Sequence, residues 1–253
     1  MTVYFTADLH IGHEKVAETR VPKLTKTLGR VSSTSIHDAL IRSNLRNTLT
    51  KRDQLWILGD ISAGGSAAQR NALAFLKDIR NETGVELHLV PGNHDGCHPQ
   101  FRTAKKWWPE YLEVFDTIMP FASRKIAGQK VCLSHYPFDG DHTDKDRHTQ
   151  WRLRDEGRWL LHGHTHQDAP LDLVEYGVRD GVPWGRDRYI TVEEARDRDL
   201  RTWWTEMEPD KDDPLGIVRP TINVGLDAWD MKPVSLETIA NIIESLENPE
   251  GGL

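Results

Sequence analysis

The stretch "VELHLVPGNHD", residues 85–95, reads as a strand that stops abruptly. Val85, Leu87, Leu89 and Val90 supply the apolar run and Pro91-Gly92-Asn93 is a turn signal, so a buried strand ends where the polar Asn93, His94 and Asp95 begin. Toward the N-terminus, "DQLWILGD" (53–60) has the same form and ends in Gly59-Asp60, and "VYFTAD" (3–8) ends in Asp8 before the polar turn "LHIGHE". The segments between them carry helical periodicity. In "TSIHDALIRSNLRNTL" (34–49) apolar residues fall at 36, 40, 41, 45 and 49, with Thr34 or Ser35 as N-cap, and "AAQRNALAFLKDIRN" (67–81) is again helical. The order is β-α-β-α-β, with polar residues at the C-terminal end of each strand, where open α/β sheets build their sites.

Toward the C-terminus the chain turns β-rich, through "FDTIMPF" (115–121), "SRKIAGQKVCLSHYP" (123–137, with a turn at Gly128-Gln129) and "RWLLHGH" (158–164). From 169 to about 219 the texture becomes charged. Its middle, "TVEEARDRDLRTWWTEM" (191–207), opens with a Thr191/Glu194 capping box and predicts a helix in which Trp203-Trp204 pack rather than recognise a ligand. A strand "PTINVG" (220–225) and a helix "SLETIANIIESLE" (235–247) follow, before a frayed tail. The expectation is one domain over 1–253 with an insertion at about 169–219, which leaves a strand end near the candidate site and is placed to act as a lid on it.

Composition narrows the function. At 253 residues, 38% apolar, with a mean hydropathy of −0.58, the chain is polar but long enough to bury a core. No stretch approaches eighteen apolar residues and "MTVYFTADLH" lacks the basic flank of a secretory signal, so a cytoplasmic protein with no membrane partner is expected. Two cysteines, Cys97 and Cys132, make neither a disulfide framework nor a zinc-finger spacing. A net charge of −7 argues against a protein that coats long duplex nucleic acid, though not against a small anionic substrate at a locally positive site.

Further donors gather at strand ends. His135 follows Ser134 at the end of an apolar run, and "LHGHTHQ" (161–167) places three of the twelve histidines, His162, His164 and His166, at alternate positions. Singly, Asp8 or Asp60 reads as a turn or cap residue, His10 or His135 as a satisfied imidazole and Asn93 as a left-handed turn residue. Jointly, five strand ends would have to acquire oxygen and imidazole donors independently.

D-x-H (Asp8, His10), G-D (Gly59-Asp60), G-N-H-D (92–95), the strand-end His135 and G-H-T-H (163–166), in this order, resemble the calcineurin-like metallophosphoesterase family. The resemblance covers residues 3 to 168, about two thirds of the chain, with a rejoining at "NVGLDAW"; "YFTADLHIGHEKV" and "SHYPF" resemble a branch of small bacterial and phage phosphoesterases. It implies an α/β fold, a four-layered α/β-β/α sandwich, holding two divalent metal ions bridged by a carboxylate and a hydroxide. Carried over residue by residue, Asp8, His10, Asp60 and His166 hold the first ion, and Asp60, Asn93, His135 and His164 the second, with Asp60 as the bridge. His162 falls outside the set. His94 is implied to protonate the leaving group, with Asp95 orienting its ring.

Mixed nitrogen and oxygen donors suit manganese, iron, zinc or nickel rather than calcium. Two divalent ions less the charges of Asp8, Asp60 and a hydroxide leave the site positive, able to draw a phosphate ester to an acidic protein. The reading is a phosphoesterase working by direct attack of metal-bound hydroxide. A phosphodiesterase on nucleotide-type substrates is favoured because His94 offers an acid for an alkoxide, with a phosphomonoesterase or a short single-strand nuclease as alternatives. His13 and Arg20 read as solvated loop residues, with contact to a substrate phosphate as the alternative. The loop 138–157 is expected to wall the cleft, with Trp151 covering core rather than stacking on a base.

Overall fold

The computed structural model describes residues 1–24, 33–141, 143, 145–179, 182–190, 193 and 221–247. In chain order its first half holds β1 (Val3–Thr6), α1 (Glu14–Leu24), α2 (Ser33–Thr48), β2 (Gln54–Ile57), α3 (Ser66–Thr83), β3 (Glu86–Leu89), α4 (Ala104–Leu112) and β4 (Thr117–Ile118). The second half holds β5 (Ala122–Ile126), β6 (Gln129–Leu133), β7 (Leu160–His162), β8 (Leu171–Arg179), β9 (Val182–Ile190), β10 (Thr221–Asn223), β11 (Val234–Ser235) and α5 (Leu236–Glu247). Among the described residues no helix is long and apolar enough to cross a membrane.

Two sheets pack face to face. The first has the order β11-β1-β2-β3-β4, parallel from β1 to β4, and the second the order β5-β6-β7-β10-β8-β9. Period-two alternation sorts their side chains: Trp56 and Leu58 join Val131, Leu133, Leu161 and Ile222 in the core between the sheets, while Leu55 and Ile57 join Ile41, Leu45 and Leu76 beneath the helices. Helix α5 closes the inter-sheet core with Ile239, Ile242, Ile243 and Leu246, at the helical spacing of one apolar face. Ser235 accepts from the Thr238 amide, which caps that helix. The helical layer and both sheets of the sandwich are thus accounted for, and the helix expected over 191–207 lies outside the described residues.

The C-terminal ends of β1, β2 and β3 meet those of β6, β7 and β10 along one edge. Ala7 bridges to Gly225, the Gly163 amide donates to His135 O at 3.0 Å, and His135 Nδ1 lies 2.8 Å from Leu58 O across the two sheets.

Four local expectations need correction. The turn between β5 and β6 is Ala127-Gly128, both at positive φ (49° and 76°), one residue earlier than expected, as the two-residue hairpin register Ile126↔Gln129 requires. The segment carrying Arg20 is a helix, α1, not a solvated loop. Strand β4 belongs to the first sheet, at its edge beside β3. Residues 171–179 and 182–190 are strands, not a loop at the site: β8 pairs with β10, and β9 returns along β8 from Arg179↔Val182 to Leu171↔Ile190. Nine residues per strand place the far pair, Arg179 and Val182, roughly 26 Å from the site end.

Candidate metal centre

Five of the seven predicted ligands occupy backbone conformations that side chains rarely adopt. Of the nine non-glycine residues at positive φ among those described, five are Asp8 (55°), His10 (46°), Asp60 (56°), His164 (71°) and His166 (54°). Strain of about 1–3 kcal/mol per residue persists only where surrounding bonds over-determine it, and it gathers at functional sites. Here the bonds are Asp8 N–H to Gly59 O and His10 N–H to Asp60 O, both 3.0 Å, which bind the loop after β1 to the loop after β2. Close approach matters as well: Gly59 sits at φ 89°, and a methyl group on Gly92 would collide with Asp60 Oδ1 and the His135 ring.

Asp8, His10 and His166 form one donor group. His10 Nδ1 faces the Ser62 carbonyl at 3.1 Å, and a carbonyl only accepts, so Nδ1 carries the ring proton and Nε2 presents a lone pair. His166 Nδ1 faces Asp227 Oδ2 at 3.3 Å, which likewise turns Nε2 inward, and the two Nε2 atoms lie 3.2 Å apart. Two lone pairs at that separation need a proton or a cation between them. Burial works against charge on His166, yet its hydrogen bond to Asp227 and the Asp8 carboxylate raise its pKa, while burial first and His166 next hold His10 well below the ordinary imidazole value. Asp8 is fully buried, its Oδ2 accepts from the His164 amide at 2.9 Å, and its Oδ1 has no hydrogen-bond partner. Burial pushes Asp8 up to about 6, opposed by His166 and Arg20.

The second group is Asp8, Asp60 and His135, with Asn93 and His164 beside it. His135 donates Nδ1–H to Leu58 O, so its Nε2 is a lone pair, 3.1 Å from Asn93 Oδ1 and 3.2 Å from His164 Nδ1. His164 turns its other nitrogen, Nε2, toward Asp141 Oδ2 at 3.5 Å. Asp60 faces both groups: its Oδ2 lies 3.6 Å from His135 Nε2 and 3.9 Å from His10 Nε2. Burial and the neighbouring Asp95 and Asp8 carboxylates hold Asp60 well above the usual carboxylate range. Buried carboxylates and neutral imidazoles with converging acceptor atoms, one oxygen unpartnered, fit divalent metal ions.

His94 sits outside both groups, partly exposed, in a cleft of about 490 Å³ that is also lined by His10, His13, Lys15, Asp60, Asn93, His164 and His166. Its Nδ1 faces the Ala63 carbonyl at 3.2 Å and its Nε2 lies 3.9 Å from Asp60 Oδ2. Contrary to the expectation from sequence, the Asp95 carboxylate is turned to backbone amides and not to this ring. It accepts the amides of Asp60 and Gly92 at 2.8 Å and of Ile61 at 3.1 Å, so it clamps the turns after β2 and β3 together. His162 is fully buried between Gly163 O and Thr221 Oγ1, with burial lowering its pKa to about 4, and remains outside the donor groups.

The calcineurin-like phosphoesterase family model matches residues 1–168, which span every one of these candidate ligands. The chain belongs to the calcineurin-like phosphoesterases. The Gene 66 protein of Mycobacterium phage L5 is 41% identical over 193 residues, covering 74% of this chain and 86% of that protein. The Gene 66 protein of Mycobacterium phage D29 is 43% identical over 169 residues, covering 65% and 78%. Among solved structures, a protein of unknown function from Aquifex aeolicus superposes with a TM-score of 0.53 at 21% identity, covering 95% of this chain and 98% of that one, a likeness of fold. The chain is accordingly a metal-dependent phosphoric ester hydrolase, with a phosphate ester as its substrate class.

This phosphoesterase uses residues that its sequence did not disclose. Arg20, 3% exposed, forks onto Asp227 at 2.9 and 2.6 Å and donates to the Asp8 carbonyl at 2.9 Å, so it supports the donor groups instead of reaching for substrate. Asp227 lies in "NVGLDAW", quoted as the rejoining point, which was the available signal. Asp141 comes from the 138–157 loop, which does wall the second group. Trp151 meets the His98 ring edge-on at 5.2 Å between centroids, so it packs against the protein. His13 lines the cleft, its ring 5.3 Å from that of His10.

Proposed function

We propose that this phosphoesterase is a binuclear phosphodiesterase acting on nucleotide-type substrates. The observation that carries the reading is the single oxygen, Asp60 Oδ2, set between His10 Nε2 at 3.9 Å and His135 Nε2 at 3.6 Å, as a bridging ligand must be. Asp8, His10, Asp60 and His166 would hold one ion, and Asp60, Asn93, His135 and His164 the other. Divalent ions of the manganese, iron, zinc or nickel type, manganese first, would supply Lewis-acid charge and lower the pKa of water at the site.

The remaining chemistry belongs to the chain. His94 keeps its Nδ1 proton on the Ala63 carbonyl, so as imidazolium it gives the Nε2 proton to the departing oxygen and returns to the neutral ring with Nδ1–H unchanged. An alkoxide leaving group needs that proton, which favours a diester over a monoester. Lys15 on α1 places a further cation at the cleft wall for the remaining phosphate oxygens. Two free cysteines suit a reducing compartment, and we place the enzyme in the cytoplasm.

The test is a comparison of bis(p-nitrophenyl) phosphate with p-nitrophenyl phosphate under the same Mn²⁺ concentration. The diester is expected to give the higher kcat/KM. A reversed order makes the enzyme a phosphomonoesterase, and no hydrolysis of either ester contradicts the reading altogether.

A further inference from the structure

We propose a second ligand pocket, between the outer face of the β5–β6 hairpin and the loop that leads into β7, which holds a nucleoside phosphate. It lies outside the metal centre, and its binding test does not depend on how that centre is read.

Period-two alternation builds the floor. Ile126, Val131 and Leu133 point into the core between the sheets, so Ser123, Lys125, Lys130 and Cys132 point away from it. The register sets Lys125 directly opposite Lys130, and like charges so placed destabilise a strand pair. On β5, an edge strand, a lysine guards against pairing with another chain, but β6 is an inner strand and gives Lys130 no such use. Arg154 and Arg158, from the loop before β7, line the same cavity as Lys130. Arg158 meets the one lining carboxylate, Glu156, at 3.4 Å, and Asp155 is turned to the Gly157 amide at 2.8 Å. Lys125, Lys130 and Arg154 have no partner among the described residues. On a chain of net charge −7 this is a local reversal of sign, which a bound anion relieves.

The remaining lining is apolar and aromatic. Phe121, 57% exposed, joins Ala122, Phe138 and Leu153 around a volume of about 340 Å³, within the ~300–1,000 Å³ of small-molecule sites. An aromatic face takes a base by stacking, and a guanidinium forks onto phosphate oxygens, so a ligand that uses both is a nucleotide. A bare anion leaves the phenylalanines unused, and an apolar ligand leaves the cations unpaired. The loop is shared with the metal centre. Phe138 follows His135 by three residues, at most roughly 11 Å along the chain. Arg154 follows Arg152, which ties the loop to itself through Gly140 O at 2.6 Å and Arg147 O at 3.0 Å, and the same loop carries Asp141 under the Arg147 fork at 3.1 and 3.0 Å. The nucleotide comes from one of two sources, a free molecule or the far end of a substrate strand whose reacting phosphate is at the metals.

The experiment is calorimetric titration of the full chain with AMP, in chelator so that no ion at the metal centre draws the phosphate. One AMP per chain is expected to bind, with adenosine and ribose 5-phosphate each roughly tenfold or more weaker, since each keeps half of the recognition. Joint Lys130→Glu and Arg154→Glu should abolish AMP binding while hydrolysis of bis(p-nitrophenyl) phosphate under Mn²⁺ is unchanged, and Asp60→Ala should bind AMP as the wild type does. The proposal is overturned by any of three results: no saturable binding to the wild type, equal affinity in the charge-reversed variant, or loss in Asp60→Ala, which puts AMP in the metal cleft. Inorganic phosphate binding as tightly as AMP also overturns it. Should the charge reversal fail to fold, Phe121→Ala, a change at an exposed ring, still decides: AMP should weaken and ribose 5-phosphate should not, and unchanged AMP affinity counts against the pocket. Inhibition of bis(p-nitrophenyl) phosphate hydrolysis by a short oligothymidylate tells the sources apart. Inhibition that weakens in the charge-reversed variant means the far end of a strand, and inhibition unchanged or absent means a free nucleotide.

Discussion

The two halves of the proposed metal centre are built from similar donors but held by different kinds of structure. The half made by Asp8, His10 and His166 is backed by buried elements: Arg20, 3% exposed, comes from helix α1, and Asp227 follows β10. The half made by Asn93, His135 and His164 is backed by the 138–157 loop, whose Arg147 side chain is 38% exposed and whose His148 adopts φ 60°. A carboxylate fixed by the sheet and a helix tolerates little adjustment, whereas one fixed within a loop moves when the loop moves.

The change with the largest expected effect removes what the halves share. Asp60→Ala should lose both ions on dialysis and reduce hydrolysis to the level of chelator-treated enzyme, because one oxygen serves both sides. Asn93→Ala deletes one neutral donor from the second half and should retain more metal; equal and intact metal content in the two variants would remove Asp60 from the bridging position. His94→Ala acts on neither half, so it should keep both ions while kcat falls roughly 10²–10⁴-fold, less for esters with good leaving groups. Metal loss in that variant would show His94 to be a ligand.

The arginines sharpen the contrast. Arg20→Ala leaves Asp227 buried beside His166, and breaking a buried pair in this way should cost about 3–5 kcal/mol of folding stability in urea unfolding. Arg147→Ala removes a guanidinium that is 38% exposed and that water can replace in part, but it leaves the buried Asp141 carboxylate without its fork, so it should cost less than Arg20→Ala though more than an exposed pair. Similar losses in both would mean that the loop is as fixed as the sheet.

A smaller effect is expected in pH dependence. Asp8 in the metal-free fold lies at about 6, above its unfolded value of 3.8, so the folded chain holds a proton that the unfolded chain releases between those values. Stability of the metal-free protein from this group is therefore present below about 4 and lost as pH rises through about 6. A cation must displace that proton, whereas His10 and His135, held well below 6.5 by burial, are already neutral. The rise in Tm on adding Mn²⁺ should consequently be small at pH 5 and grow until about pH 7; a rise independent of pH would contradict the assignment of Asp8 as ligand. Smallest of all, replacing residues 192–219 with a Gly/Ser linker, which spares β8 and β9, should leave both ions bound and small diesters cleaved. A change in KM for larger substrates alone would assign that segment to access.

What the sequence discloses about this centre follows from how each residue is used. Asp8, Asp60, Asn93 and His135 were legible because each follows an apolar run that stops at a turn, and such a pattern is local. Asp227 and Asp141 were not, since their partners are 61 and 23 residues away in the chain and meet them only when the sheets pack. Asp95 was misread for a related reason. Its carboxylate serves backbone amides of Asp60, Ile61 and Gly92, and every residue but proline has such a donor, so nothing in a sequence marks which are used. Strands β8 and β9 escaped because charged residues interrupt the apolar alternation in "LDLVEYGVR" and "VPWGRDRYI".

The central claim is that two ions share Asp60, and metal content after equilibrium dialysis tests it most directly. Wild-type protein dialysed against micromolar Mn²⁺ should hold about two ions per chain by elemental analysis, with a spin-coupled pair visible by electron paramagnetic resonance. One uncoupled ion per chain, or full activity after complete metal removal, would contradict the account.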